Sequence, residues 1–216
     1  MFKFKLNKLG LAVETANNGK EALEKIKNND YDLVVLDVMM PEMDGIEACE
    51  QIRNIPELNH VIITFLTARN EDYSQVAGFE AGADEYITKP FKVAEFVARV
   101  EAILRRVDMQ KARTAPTFVQ VGDLAIDAIA HKVSVRGAEI KLTPMEFELL
   151  YFLAANAGQV FTREVLFREV WGYEYVGETN LVDVCVRRLR EKVEVEPSKP
   201  KVILTVRGVG YKLERA

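Results

Sequence analysis

Residues 33–37 are Leu33-Val34-Val35-Leu36-Asp37, four apolar side chains followed by a carboxylate. A second apolar run ends on Thr67, and a third ends on Lys89. Short apolar runs separated by helical patterns are typical of buried parallel strands. Because ligands collect at the carboxyl ends of the strands in an open parallel sheet, the sequence predicts that Asp37, Thr67 and Lys89 lie at one edge of one sheet.

The three side chains predicted at this edge suit a small anion that is held covalently. The carboxylate of Asp37 can attack phosphorus, the hydroxyl of Thr67 can donate to a phosphoryl oxygen, and the ammonium of Lys89 can balance the added charge. A single Asp after a strand is more often a helix cap or a turn residue, so the prediction depends on the three residues together. The candidate chemistry is phosphoryl acceptance on Asp37.

An enzyme is the rival interpretation of a carboxylate at a strand end. Phosphatases of the haloacid dehalogenase type use such an Asp as nucleophile, and they carry a second Asp two residues later as acid or base. Met39 occupies that position here, so the sequence disfavours a phosphatase.

Composition indicates an ordinary protein of the cytoplasm. Charged residues make up 29% of the 216 residues and hydrophobic residues 49%, and the length favours one or two domains. No apolar run approaches the roughly 18 residues that a membrane span needs, and the start shows no secretory signal. The two cysteines, Cys49 and Cys185, are far apart and near no His/Cys cluster. They are predicted to be reduced thiols rather than a disulfide or a zinc site.

The chain is predicted to form two domains joined by a linker. In residues 1–107, strands alternate with helical patterns, which indicates a doubly wound α/β sheet. Residues 108–117 lose the apolar periodicity and are predicted to be the linker. Residues 118–216 combine short alternating strands, three helices and a terminal hairpin, the pattern of an α+β winged helix-turn-helix domain.

The helices of the second domain have clear start signals. The first begins with Thr143 as N-cap, Pro144 in its first turn and Glu146 completing a capping box. Thr162 is predicted to cap the second helix, which ends near residue 172, and the third is predicted to run from about residue 180 to residue 193. Trp171 is predicted to lie in the core.

The distribution of charge favours DNA as a partner of the second domain. The net charge is −4, yet residues 187–215 contain nine Lys or Arg against four Glu. Arg187, Arg188 and Arg190 are predicted on an exposed face of the third helix, where they suit phosphates and guanine edges, and Arg207 is predicted at the hairpin tip. The alternative is that these arginines pair with carboxylates of the same helix.

Three segments of the first domain resemble the receiver domains of bacterial two-component response regulators. They are residues 36–45 (LDVMMPEMDG), 66–68 (LTA) and 81–91 (AGADEYITKPF). By this resemblance the sheet is flavodoxin-like, a sensor histidine kinase donates a phosphoryl group to Asp37, and Thr67 and Lys89 close on that group. The resemblance also implies that Tyr86 then swings inward as a switch residue.

The same resemblance implies that the activated receiver forms a homodimer through its fourth helix, fifth strand and fifth helix. The candidate interface residues are Glu80, Glu85, Glu95, Arg99 and Arg106. Dimerisation would place two DNA-binding domains on adjacent direct repeats of promoter DNA, so that two weak contacts become one strong contact through effective concentration.

Segments of the second domain resemble the effector domain of the OmpR/PhoB family. They are residues 142–150 (LTPMEFELL), 182–190 (VDVCVRRLR) and 205–211 (TVRGVGY). By this resemblance Arg187, Arg188 and Arg190 face DNA and Arg207 lies in the wing. The loop 173–178 matches the segment that some members use to contact RNA polymerase.

The start of the chain departs from the receiver pattern. Family receivers begin with a buried strand that ends in an acidic pair, and Asp37 lies too close to residue 1 for that strand to be present. The resemblance therefore implies a Mg²⁺ site reduced to Asp37 and the backbone of Met39, and we expect phosphorylation to be poor. The alternative function is a phosphorylation-independent DNA-binding regulator whose truncated receiver acts only as an interaction domain.

The first residues have their own structural prediction. Residues 2–8 are predicted to belong to a first helix, with Leu6 and Leu9 packed inward. Residues 11–14 are predicted to form the next strand. A strand at residues 2–6 is disfavoured, because a parallel crossover needs about a dozen residues.

Overall fold

A computed structural model of the protein describes residues 2–68, 81–111, 116–173 and 180–215, without the side chains of residues 68, 106 and 108–111. The sequence also predicts a helix at residues 74–81, and all of it but residue 81 lies outside the described residues, as do the candidate interface residue Glu80 and most of the loop 173–178. The chain divides into two compact units, residues 1–107 and residues 108–216.

The first unit contains a parallel sheet of three strands in the order β1-β2-β3. The strands are β1 (Leu33–Asp37), β2 (Ile62–Ala68) and β3 (Glu85–Lys89). The apolar side chains of β2 and β3 are mostly buried, whereas in β1 only Leu36 is fully buried and the other three are partly buried. The three strand predictions are confirmed, and the strands are parallel, as the predicted doubly wound α/β sheet requires.

Four helices accompany the described part of this sheet. They are α1 (Phe2–Lys8), α2 (Gly19–Asn28), α3 (Gly45–Arg53) and α4 (Val93–Lys111). Asn18 and Asp44 begin α2 and α3 as N-caps, because their side chains accept the N–H groups of Glu21 at 2.9 Å and Glu47 at 2.8 Å.

The helix predicted at residues 2–8 is confirmed, and it closes one side of the core. Leu6 is buried and belongs to a cluster with residues of β3 and α4, while the ring of Phe2 lies 4.8 Å from that of Phe96. The inward position predicted for Leu9 is wrong, because this side chain is 47% exposed. The helix ends at Lys8, so Leu9 falls beyond the face that packs.

The strand predicted at residues 11–14 is absent from the described structure. Among the described residues, β1 is the last strand on its side of the sheet, and residues 11–14 do not pair with its free edge. Leu11 and Val13 still pack against the core cluster. These apolar side chains are therefore partly buried although their backbone forms no strand.

Helix α4 continues to Lys111, into the linker that was predicted to begin at residue 108. Residues 107–111 lack apolar periodicity but contain no Gly or Pro, and Met, Gln and Lys have good helix propensity. Helix propensity alone can extend a helix by one turn, so the loss of periodicity is a poor signal for the end of this helix.

The second unit opens with an antiparallel sheet in the order β4-β5-β6-β7. Its strands are β4 (Phe118–Val121), β5 (Leu124–Asp127), β6 (Lys132–Val135) and β7 (Ala138–Ile140). The turn between β6 and β7 is formed by Arg136 and Gly137, both with positive φ, as a two-residue hairpin requires.

Three helices and a hairpin complete this unit as a winged helix. The helices are α5 (Pro144–Ala155), α6 (Arg163–Trp171) and α7 (Leu181–Val193). A second antiparallel sheet has the order β8-β10-β9, from β8 (Phe161–Thr162), β9 (Ile203–Val206) and β10 (Gly210–Leu213). Trp171 is 1% exposed, which confirms its predicted place in the core.

We predict that Gly45→Ala destabilises the first unit by about 1–3 kcal/mol or more. A Cβ at residue 45 would lie 2.3 Å from the backbone oxygen of Asp37, so the loop between β1 and α3 must shift. The measurement is urea unfolding followed by far-UV circular dichroism.

The matched control for this variant is Glu50→Ala, an exposed position of the same helix, where we expect a change within about 0.5 kcal/mol. Trp171 is the only tryptophan and lies in the second unit, so its fluorescence transition should keep its midpoint in both variants. An unchanged stability of Gly45→Ala would contradict the close approach.

Candidate functional site

The first candidate site lies at the carboxyl end of the parallel sheet. Asp37 is the last residue of β1 and Lys89 the last residue of β3, and the ammonium of Lys89 donates to Oδ2 of Asp37. Oδ1 of Asp37 accepts the N–H of Met39 at 3.1 Å. Both charged side chains are more than one third exposed, at 35% and 39%. The structure therefore contains the contact that was expected between the Asp37 carboxylate and the Lys89 ammonium.

Thr67 lies near the same end of β2 and is buried, with 1% of its surface exposed. In the sheet register, Asp37 is the partner of Leu66, and Thr67 is the next residue. The hydroxyl of Thr67 has no hydrogen-bond partner among the described residues, so it contacts neither Asp37 nor Lys89 in that way. A buried hydroxyl without a partner is uncommon and costs free energy.

Local backbone contacts hold Asp37 at this position. The N–H of Val38 donates to the carbonyl of Leu66 at 3.1 Å, which extends the pairing of β1 and β2 by one residue. The N–H of Gly45 donates to the carbonyl of Val38 at 3.1 Å and brings the start of α3 back to the strand end. The chain near Asp37 is thus fixed on both sides.

The residues at this edge fit a tightly held Mg²⁺ poorly. The described residues contain no group of three or more His, Cys, Asp or Glu side chains that could hold a metal ion. Asp37 supplies one carboxylate, and its Oδ2 already contacts the ammonium of Lys89. Mg²⁺ requires near-octahedral oxygen coordination, which this set does not provide by itself.

The candidate switch residue Tyr86 and the candidate interface residue Glu85 are both buried in the structure, at 8% and 1% exposure. Arg99 lies 3.6 Å from Glu85 and 3.1 Å from Glu95, and it donates to the carbonyl of Tyr86 at 3.4 Å. The structure therefore pairs three of the candidate interface residues within one chain. The side chain of Arg106 lies outside the described residues.

The second candidate site is the third helix of the winged-helix unit. Arg187 is exposed and lies 3.9 Å from Glu191 on the same helix, a pair that costs little to separate. Arg207 is exposed in the turn between β9 and β10. These two residues have the accessibility predicted for DNA contacts.

Arg188 differs from the prediction that it faces DNA. Its side chain is only 11% exposed, and Nε lies 2.8 Å from Oε1 of Glu146, which is fully buried. Lys192 reaches the other oxygen of Glu146 at 2.6 Å. Both cations therefore pair with a buried carboxylate of another helix. The residue pattern of α7 alone does not predict this pairing.

Arg190 also differs from the prediction, because its guanidinium holds the hairpin. It donates to the carbonyl of Ile203 at 2.7 and 3.0 Å and to the hydroxyl of Thr205 at 2.8 Å. The guanidinium also lies 5.7 Å from the ring centre of Tyr211. In the structure Arg190 connects α7 to both strands of the wing.

Comparison with known proteins gives two family matches that together span most of the chain. Residues 1–101 match the response regulator receiver domain, and residues 137–213 match the C-terminal domain of transcriptional regulatory proteins. The transcriptional regulatory protein ResD of Bacillus subtilis (strain 168) is 46% identical over 219 residues, which cover 99% of this chain and 90% of ResD. The chain belongs to the two-component response regulators of the OmpR/PhoB type.

Solved structures are also similar to this response regulator. Two structures of RitR mutants are 32% and 31% identical, cover 100% of this chain and 93% of theirs, and have TM-scores of 0.76 and 0.78. The response regulator DrrB of Thermotoga maritima, described as an OmpR/PhoB homologue, is 37% identical over 99% of this chain and 92% of its own, with a TM-score of 0.46. No described helix of this response regulator is long and apolar enough to cross a membrane.

The structure of this response regulator adds residues that sequence reasoning missed. Asp183 was predicted only as a pairing partner on its own helix, yet it accepts hydrogen bonds from Arg163 at 2.7 Å and from the hydroxyl of Tyr211. Burial and the Asp183 carboxylate together raise the pKa of Tyr211 to about 12. This contact joins α6, α7 and β10, and no spacing in the sequence predicts it.

We predict that high pH destabilises the wild-type winged helix through Tyr211. Its ordinary pKa of 10 rises to about 12 in the folded state, so its stabilisation is complete below about pH 10 and is lost as pH rises towards 12. The loss amounts to at most about 2 kcal/mol, because solvent partly screens the phenol. The measurement is urea unfolding at several pH values, followed by the fluorescence of Trp171.

Tyr211→Phe is the control for this pH dependence. At pH 7 it should be about 1 kcal/mol less stable than wild type, because the hydrogen bond to Asp183 is lost. Its stability should then fall less steeply than that of wild type between pH 10 and pH 12. Parallel curves for the two proteins would show that Tyr211 does not carry the effect.

Proposed function

We propose that this response regulator accepts a phosphoryl group on Asp37 from a sensor histidine kinase. The observation that supports the proposal is the meeting of the Asp37 carboxylate with the Lys89 ammonium beside the buried hydroxyl of Thr67. A carboxylate, a cation and a hydroxyl donor are the groups that bind and stabilise a transferred phosphoryl group.

The proposed transfer forms one bond and breaks one bond. An oxygen of the Asp37 carboxylate attacks phosphorus, the P–N bond of the kinase phosphohistidine breaks, and its electron pair returns to the imidazole, which takes up a proton. Lys89 remains beside the acylphosphate and balances its added charge. The hydroxyl of Thr67 turns to donate to a phosphoryl oxygen and thereby gains the partner it lacks.

The proposed transfer depends weakly on Mg²⁺, because the residues at this edge supply one carboxylate in place of an acidic cluster. Bound Mg²⁺ would neutralise phosphoryl oxygens during transfer. Lys89 is left as the main source of positive charge at the site, so we expect labelling of Asp37 to be slow.

The proposed partner of the winged helix is promoter DNA. Helix α7 enters a major groove, Arg187 contacts phosphates or bases there, and Arg207 contacts a minor groove or a phosphate from the wing. Exposure of both arginines supports this assignment. In this proposal, homodimers bind direct repeats in the cytoplasm and the loop 173–178 contacts RNA polymerase.

Dimerisation in this proposal uses the receiver face that contains Glu95 and Arg99, with Glu85, Glu80 and Arg106 as further members. Glu95 is the most accessible described member, with its side chain 48% exposed. Arg99 already pairs with two carboxylates of its own chain. An ion pair formed across the dimer would replace one of these pairs, so each would add little net free energy.

A second candidate function is DNA binding that does not depend on phosphorylation. The poor fit of the receiver edge to Mg²⁺ supports this candidate. The winged helix forms a compact unit of its own, to which the residues of that edge do not belong. In this case the receiver serves only as an interaction domain. The two candidates differ in whether phosphorylation of Asp37 changes DNA affinity.

We predict that acetyl phosphate labels Asp37 slowly and that Mg²⁺ accelerates the reaction only slightly. The measurement is intact-protein mass spectrometry over time, with and without Mg²⁺, followed by mapping of the modified residue. Asp37→Asn should remain unlabelled.

Strong acceleration by Mg²⁺ would overturn the predicted weak site, and labelling of another residue would overturn the assignment of Asp37. The labelled and unlabelled proteins are then compared for DNA affinity. Equal affinity, together with wild-type affinity of Asp37→Ala, would favour the phosphorylation-independent regulator.

We predict that Arg187→Gln and Arg207→Gln each weaken DNA binding and reduce its dependence on salt. A lost phosphate contact lowers the slope of log K against log salt concentration by about 0.9. The measurement is fluorescence anisotropy at several salt concentrations, with a duplex selected by the wild-type protein from a random library.

The matched control is Lys132→Gln, which removes a more exposed cation from β6, with 64% of its side chain accessible against 48% for Arg187. It should leave the slope unchanged. Equal losses for Lys132 and Arg187 would show that binding reflects overall charge and not the winged-helix face.

A further inference from the structure

We infer that Arg188 is a positioning residue that sets the rotation of α7 through Glu146, and that it does not itself read DNA. Glu146, Arg188 and Lys192 together are called the Glu146 cluster here. The inference rests on the proposed function of α7 in DNA binding. It assigns a role in that binding to a carboxylate that DNA cannot reach.

The Glu146 cluster is buried at its centre. The Glu146 side chain is 0% exposed, and it receives Arg188 at 2.8 Å on one oxygen and Lys192 at 2.6 Å on the other. It also accepts the backbone N–H of Thr143 at 2.9 Å at the start of α5. One carboxylate therefore connects the first turn of α5 to two successive turns of α7.

A buried carboxylate keeps its cations firmly. If Arg188 left Glu146 to contact DNA, Lys192 alone would compensate a carboxylate that has no access to water. An uncompensated buried charge is far more costly than a lost surface ion pair. Arg188 therefore remains with Glu146 when DNA binds, and its contribution to binding passes through the helix.

The helical repeat explains how this contact orients the DNA-facing residues. Arg188 and Lys192 are four residues apart and share the side of α7 that faces α5. Arg187 and Glu191 have the same spacing one position earlier, where both are about half exposed. Adjacent positions differ by about 100° around a helix, so fixing Arg188 inward fixes Arg187 outward.

If the inference is right, removing the Glu146 charge weakens DNA binding, which is the opposite of the usual effect. Removing a negative charge from a DNA-binding protein ordinarily strengthens binding, because repulsion of phosphate falls. If Arg188 were a DNA ligand masked by Glu146, Glu146→Gln would release it and strengthen binding further. A positioning role predicts the opposite, namely weaker binding in Glu146→Gln.

The test compares variants of the full chain by fluorescence anisotropy on the duplex selected by the wild type. We expect Glu146→Gln and Arg188→Gln each to weaken binding by roughly tenfold. Their double variant should bind no more weakly than either single variant, because both remove the same contact. Glu191→Gln is the matched control, and it should bind as tightly as wild type or more tightly.

Two readouts separate positioning from direct contact. Arg188→Lys keeps a cation for Glu146 and should restore nearly wild-type affinity and base preference, whereas a guanine-reading arginine would not be replaced by lysine. In the background of Arg187→Gln, the Arg188→Gln change should cost little more. Additive losses would indicate an independent DNA contact.

Specific outcomes overturn the inference. Tighter binding of Glu146→Gln would show a masked DNA ligand, and unchanged binding would show a role in stability alone. Circular dichroism and Trp171 fluorescence would reveal whether Glu146→Gln folds. If it does not fold, an altered base preference in Arg188→Lys would still overturn the inference. Failure of the wild type to select any duplex would instead overturn the proposed function, and the inference with it.

Discussion

The receiver site depends on the pairing of β2 with two parallel neighbours, β1 on one side and β3 on the other. That pairing brings Asp37 and Lys89 into contact although 52 positions separate them in the chain. An ion pair this exposed contributes little stability of its own. The free energy that holds the two charges together therefore comes from the buried apolar strands, and the charges remain available for chemistry.

The winged helix uses a different arrangement, because carboxylates connect its parts, and two of them are buried. Glu146 joins α5 to α7, and Glu194 accepts three consecutive backbone N–H groups at 2.8–2.9 Å where the chain enters β9. Both of these carboxylates lose water and regain hydrogen bonds or cations from a different element. Asp183, with its side chain 41% exposed, joins α7 to α6 and β10. The result fixes α7 and the wing relative to each other.

Local signals in the sequence were reliable for strands and for helix starts. The apolar runs that end on Asp37 and Lys89 are strands, and the Glu146 carboxylate accepts the Thr143 N–H as a capping box requires. These features depend on neighbouring residues only. The strand predicted at residues 11–14 failed because a strand also needs a partner, which the local pattern does not supply.

The sequence by itself determined the two kinds of domain, the residue types at the receiver edge and the excess of cations in the last helix and hairpin. The tertiary structure decided which cations are accessible to solvent. Arg187 and Arg188 are adjacent and chemically identical, yet one is exposed and the other is held by Glu146, 42 positions earlier in the chain. The physical reason is that the free energy of a charge depends on burial and on its partners, and both are set by elements distant in sequence.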